Sequence, residues 1–165
     1  MARYSLAAQG ITLTAVGNTA NMTDAGYPFF LQGGSSTMQL RISEVQAGGE
    51  STSSAVASMV FGRDSTVAAT GISGGTNAAM DGASVAPGTI AVFGNTSTTK
   101  PQRSATLGHL LQHSFNAFGG LVRWQARQGE EITVVGNTAS LGEVSYSCHT
   151  GGSGIVSAHC IYELV

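Results

Sequence analysis

The sequence predicts an all-β domain, a two-sheet β-sandwich that is jelly-roll-like, and three observations predict it. Strand-like alternation of apolar and polar residues recurs from end to end. Turns rich in glycine, serine and asparagine punctuate that alternation. The long helical periodicity that builds a bundle or a doubly wound fold is missing. About eight to ten strands with long connections fit two packed sheets, and the jelly roll is the version with eight strands wound as two Greek keys. An immunoglobulin-like sandwich is the nearest rival. Its tryptophan between two distant cysteines is not met, because Cys148 and Cys160 both follow Trp124.

The elements follow in order. Gly10 to Val16 places Ile11, Leu13 and Ala15 on one face and stops at Gly17-Asn18. Tyr27 to Leu31 is a short apolar piece whose Pro28 suggests an edge or a strand start. The clearest alternation is Met38 to Ser43, with Met38, Leu40 and Ile42 inward and Gln39, Arg41 and Ser43 outward, which is a half-buried strand. After a loop at Ala47 to Ser51, Ala55, Ala57, Met59 and Phe61 repeat the inward pattern until Gly62-Arg63-Asp64-Ser65 ends it. Residues 66–88 turn to Ala, Gly, Ser and Asn, too small to fill a core, and read as a long excursion.

Thr89 to Phe93 returns to strand character, followed by a polar loop from Asn95 to Ser104. Thr106 to His113 fits a helix or a strand, and Gly108 tips the reading to strand. Phe115 to Phe118, Leu121 to Ala126, Glu131 to Val135, Glu143 to Cys148 and Ala158 to Leu164 complete the set. Turns at Gly119-Gly120, Gln128-Gly129, Gly136-Asn137 and Gly151-Gly152 separate them. Gly-Asn-Thr recurs at 17–19, 94–96 and 136–138, but the unequal spacings of 77 and 42 residues point to shared turn chemistry rather than duplication.

Length and composition narrow the class. The 165 residues suit one domain, 1–165, with residues 1–23 read as an N-terminal arm plus first strand. A chain of this size buries about 68–70% of its unfolded surface and needs no metal or disulfide to stay folded. Charged residues are 10%, against roughly 25% in an ordinary soluble domain. The neutral surface leaves little repulsion between copies, which suits a protein packed against neighbours. A net charge of −2 without a basic run argues against nucleic acid as a partner. No window approaches the 18 or more apolar residues of a membrane span, and no signal-peptide core follows Met1-Ala2-Arg3-Tyr4, so cytoplasmic synthesis is expected.

Candidate chemistry is sparse. Cys148-His149 and His159-Cys160 look like a metal site, yet pairing the two segments antiparallel about Gly154 puts the cysteines on one face and the histidines on the other. Two free, buried thiols are the expectation, with a cross-strand disulfide the alternative. His109 and His113 share a side in either a helix or a strand, without the glutamate that zinc hydrolases place between such histidines. Gly-x-Ser-x-Gly does not occur, nor does a P-loop or a dinucleotide fingerprint among the 23 glycines. Asp24, Asp64, Asp81, Glu130 and Glu131 read as turn formers and solvated charges. Phe115, Phe118 and Trp124, with Leu121 and Val122 beside them, read as core. The expectation is a protein that is not an enzyme, with no catalytic residue, cofactor or metal ligand.

At Phe61 to Val67, Pro101 to Ser104, Ser114 to Trp124 and Gly136 to Ser140 the chain resembles small β-rich structural proteins encoded by tailed bacteriophages and prophages, and the resemblance covers most of its length. It implies a virion component, a decoration or minor protein of the head, and carries no site residue over. The expected partners are the major capsid protein and further copies of the chain, with a homo-oligomer, favoured as a trimer, cementing the head. The alternative is a tail-associated adhesin or glycan-binding module, whose exposed aromatics would be Tyr4 and Tyr27.

Overall fold

The computed structural model describes residues 2–15, 29–66, 76–83, 91–94, 102–104, 106–136, 142–149 and 152–165. Among them are twelve strands: β1 (Arg3–Thr12), β2 (Phe29–Gly33), β3 (Gln39–Glu50), β4 (Val56–Thr66), β5 (Thr76–Ala79), β6 (Ala91–Gly94), β7 (Gln102–Arg103), β8 (His109–Asn116), β9 (Phe118–Gln125), β10 (Ile132–Val135), β11 (Glu143–Cys148) and β12 (Ile155–Leu164). They form two antiparallel sheets. The front sheet runs β5, β1, β12, β3, and then β10 and β9 end to end along the far edge of β3. The back sheet runs β6, β2, β11, β4, and then β7 and β8 along the far edge of β4.

The pairing is that of one long hairpin rolled up. β1 pairs with β12, β2 with β11, β3 with β9 and β10, and β4 with β8, so the strands close from the chain ends inward. Pairing of β12 with β3 and of β11 with β4 then joins the roll into two sheets. With β9 and β10 sharing one position beside β3, eight strand positions in that order, all antiparallel, make a jelly roll. β5 and β6 are short additions at the outer edges.

Inward residues of both sheets fill one core. Tyr4 stacks on Tyr162 with ring centroids 5.4 Å apart, and Phe29, Phe61 and Tyr146 pack mutually at 5.8 to 6.3 Å. Each ring is fully buried, contributing about 1.5–3 kcal/mol by burial alone. A bulge in β3 at Ser43-Glu44 lets Ile42 and Val45 both reach the core although three positions apart, and turns Ser43 and Glu44 together to the outer face.

One end of the sandwich is a corner where three connections cross between sheets. A single residue, Ala117, carries the chain from β8 to β9. Its amide donates to the Ala55 carbonyl at 2.8 Å, and its carbonyl accepts from the Ser51 amide at 2.9 Å. Gly49 lies against it so closely that an added Cβ would stand 2.2 Å from the Ala117 carbonyl oxygen. Only glycine fits there.

Several sequence expectations need correction. Strand β1 begins at Arg3 and is paired on both edges, so this part of 1–23 is built into the sheet and is no free arm; residues 16–23 lie outside the described set. Strand β2 lies between β6 and β11 and is not an edge, and Pro28 lies outside the described set. Strand β3 continues through Ala47 to Glu50, and β4 continues through Gly62 to Thr66, because partners on both sides extend them past their glycines. Part of the excursion, Thr76–Ala79, is strand β5. Gly119-Gly120 is not the turn but a kink early in β9, with Gly119 at φ +73°.

Candidate functional site

The two outer faces of the sandwich differ in chemistry. The front strands carry Arg3, Arg41, Glu44, Glu50, Arg123 and Glu163, and all six side chains belong to the outer face. The Arg3 Nε donates to Glu163 Oε1 at 2.6 Å. An Arg123 Nη2 donates to Glu44 Oε2 at 2.5 Å, and His159 Nε2 lies 3.3 Å from the other oxygen. The Arg123 hydrogen bond is the main reason the Glu44 carboxyl is held below its ordinary pKa. Beside this cluster is an open trough of about 520 Å³, floored by Ala7, Gly48 and Ser157 and walled by Leu121 and Gln9.

The charges of the back sheet are hidden. Arg63 points inward and donates from Nη2 to the Thr133 carbonyl of β10 at 2.9 Å. Asp64, Arg103 and Glu143 form a buried row across β4, β7 and β11, each 1% exposed or less. Ser145 Oγ donates to Asp64 Oδ1 at 2.7 Å, and Asp64 also shares a hydrogen bond with Glu143. Burial pushes the Asp64 carboxyl up to about 7, opposed by the hydrogen bonds from Ser145 and with Glu143 and by the Arg103 charge. The Arg103 charge acts on Asp64 without a direct hydrogen bond between them. Gly62 makes room for the arginine, its Cβ position lying 3.8 Å from Arg103 Cδ. The Arg103 nitrogens and Ser147 Oγ have no protein hydrogen-bond partner.

Among the described residues, what the back sheet exposes is uncharged. Val56, Gln112, Ser114 and Asn116 face out along β4 and β8, with Ser58 and His149 half-buried among them. Two shallow hollows open here. One of about 340 Å³ is lined by Ser58, Gln112, His113 and His149, and one of about 370 Å³ by Val56, Ser114, Phe115 and Asn116.

The metal-like pattern at the C-terminus is taken apart by the fold. Strand β11 belongs to the back sheet and β12 to the front, so Cys148 and Cys160 are not hairpin partners but face the core from opposite sheets. Both are free, and burial raises both thiols, Cys148 to about 11. His149 meets His109 edge to face at 5.7 Å, whereas His159 is on the front sheet beside Glu44. His109 and His113 also part company. A bulge at Leu110 turns His109 outward toward Gln112, while His113 Nδ1 lies 2.7 Å from the Tyr146 hydroxyl in the core. Among the described residues, no three His, Cys, Asp or Glu side chains converge as a metal site.

The remaining candidates divide. Asp81 and Glu131 are turn residues, accepting from the amides of Ala83 and Gly129. Glu130 is exposed, and Asp24 lies outside the described residues. Asp64, read as a solvated turn residue, is instead fully buried. Its place in the β4 alternation, out of phase with Phe61, puts it on the outer face of the back sheet and gave no local sign of burial. Phe115 and Trp124 pack on the core as expected, but Phe118 is 60% and Leu121 65% exposed because they stand opposite Glu50 and Gly48 on the outer face of the front sheet. Tyr4 is buried, and Tyr27 lies outside the described residues.

Fold and surface together define a jelly-roll β-sandwich in which, among the described strand residues, the exposed charges lie on one face. In comparison with known proteins, no family model and no curated relative matches the chain.

Proposed function

We propose that the chain is a structural subunit of a bacteriophage particle, a decoration protein that docks on the capsid by its neutral back face and turns its charged front face to solvent. The supporting observation is the separation of charge. All exposed charges on the strands belong to the front sheet, whereas the exposed part of β4 and β8 carries none. Docking a neutral face avoids stripping water from ions, which costs several kcal/mol per buried unpaired charge. The charged side keeps the decorated particle soluble. Further copies of the chain multiply a weak single contact on a symmetric shell. The adhesin reading has less support, since Tyr4, one of its two aromatic candidates, is 1% exposed.

The test mixes purified protein with capsids that lack it, followed by sedimentation and a count of bound copies. Saturable binding at a number matching the shell symmetry is expected, with binding lost in Val56→Glu and kept in Arg41→Glu. Absence of binding, or loss in Arg41→Glu alone, overturns the proposal.

A further inference from the structure

The sheet edges are guarded unequally. An unpaired strand edge offers free amides and carbonyls to any other strand, and folded proteins blunt such edges by shortness, charge, proline or bulges. Strands β5, β6 and β10 are four residues each and β7 is two. The eight-residue β9 carries Arg123 and is kinked at Gly119. The eight-residue β8, His-Leu-Leu-Gln-His-Ser-Phe-Asn, has no formal charge at neutral pH and no proline. Its one bulge, at Leu110, is confined to the first end and leaves Leu111 to Asn116 in regular register with β4. Among the described residues, β4 is its sole strand partner.

We infer that β8 is the interface between two copies of this chain, which pair antiparallel across a two-fold axis at His113 and join their back sheets into one continuous sheet. Paired strands must match inward with inward residues. Centring the axis on His113 does this from Leu111 to Phe115, because Leu111 then meets Phe115 of the other copy and Gln112 meets Ser114. Leu111 and Phe115 are both half-buried apolar residues at the core margin, so their contact extends the hydrophobic row beyond the monomer. The outward pair, Gln112 and Ser114, are both exposed and uncharged.

A second copy fits this edge better than a charged partner. An edge without charge has nothing to attract an ionic surface, and it meets no repulsion from an identical edge. An isologous contact of this kind needs one patch that complements itself, and the Leu111/Phe115 and Gln112/Ser114 alternation does so. This moves the expected unit from a trimer to a pair. The inference adds a self-contact to the decoration reading and is tested with no capsid present, so each can fail while the other stands.

The experiment is sedimentation equilibrium on the whole chain and on two charge variants, Q112K/S114K and Q112E/S114E. Wild type should form a dimer. In either variant alone the axis sets like charges opposite each other twice, and dimerisation should weaken about tenfold. An equimolar mixture of the two should recover dimers, because every lysine then faces a glutamate; that recovery separates an interface effect from misfolding. A wild-type chain that stays monomeric at millimolar concentration overturns the inference. So does a dimer indifferent to both variants, or a monomer whose β8 edge is captured only by capsid protein.

Discussion

The two outer faces are built from the same kind of strand, yet each treats charge in an opposite way. On the front sheet, Arg3 with Glu163 and Arg123 with Glu44 lie on the outer face, where the arginines are 61% and 52% exposed although Glu44 itself is 6% exposed. Pairs of this kind are worth little, since water screens them and long side chains lose freedom. On the back sheet, Asp64, Glu143 and Arg103 are out of water, where an unbalanced charge is far more costly. The front charges keep a surface wet. The back charges tie β4, β7 and β11 together and leave the exposed strip neutral.

The largest effect tests the buried row. Asp64→Ala removes the carboxyl whose charge acts on Arg103, and arginine cannot shed its proton. Urea unfolding at pH 7 should show a loss of about 3 kcal/mol. Arg103→Met should cost less than half as much at pH 5, where the Asp64 carboxyl, raised to about 7, holds its proton. Equal losses in the two variants would mean that the row is not electrostatically coupled.

The next effect is a pH slope. The Asp64 carboxyl is raised in the fold, so the folded chain holds a proton that the unfolded chain releases above about pH 4. The stabilisation is therefore complete below the unfolded pKa and is lost as pH rises toward 7. Between pH 5 and pH 8 this contribution should lower the melting temperature by roughly 4–8 °C, corresponding to about 2 kcal/mol. His109 and His113 act in the opposite sense. Burial lowers both, so their contribution is present above the ordinary histidine pKa and is lost on acidification. Asp64→Asn isolates the carboxyl: the fall toward pH 8 should disappear, and a slope that survives would place the proton elsewhere.

The smallest effect belongs to the front face. Glu44→Gln should cost about 0.5 kcal/mol in low salt, because Arg123 simply returns to water, and high salt should shrink the cost further. A loss as large as that of Asp64→Ala would erase the contrast between the faces.

Strand identity was legible where a residue's environment is decided by its neighbours along the chain. Leu40 and Ile42, and Ala57, Met59 and Phe61, take the predicted inward face because side chains alternate in any strand. Sheet membership was not legible. Cys148 and Cys160 lie close enough in sequence to suggest a hairpin, but the roll sends β11 and β12 to different sheets through pairings more than 100 residues distant. The buried row was hidden for the same reason. Asp64, Arg103 and Glu143 come from three separate stretches, and each taken alone reads as an ordinary surface charge. The bulges at Ser43-Glu44 and Leu110 shift phase by one residue without any glycine or proline to announce them.

The rolled hairpin also governs timing. Strands β11 and β12, which follow the other ten in the chain, are the middle strands of the back and front sheets, so neither sheet can close before both have emerged. Strand β1 waits for a partner about 150 positions away, and contacts of such long range make folding slow. Until β12 arrives, β1 and β3 are open edges held apart. A chain built this way has no finished face to offer a partner until β11 and β12 have taken their places between the earlier strands.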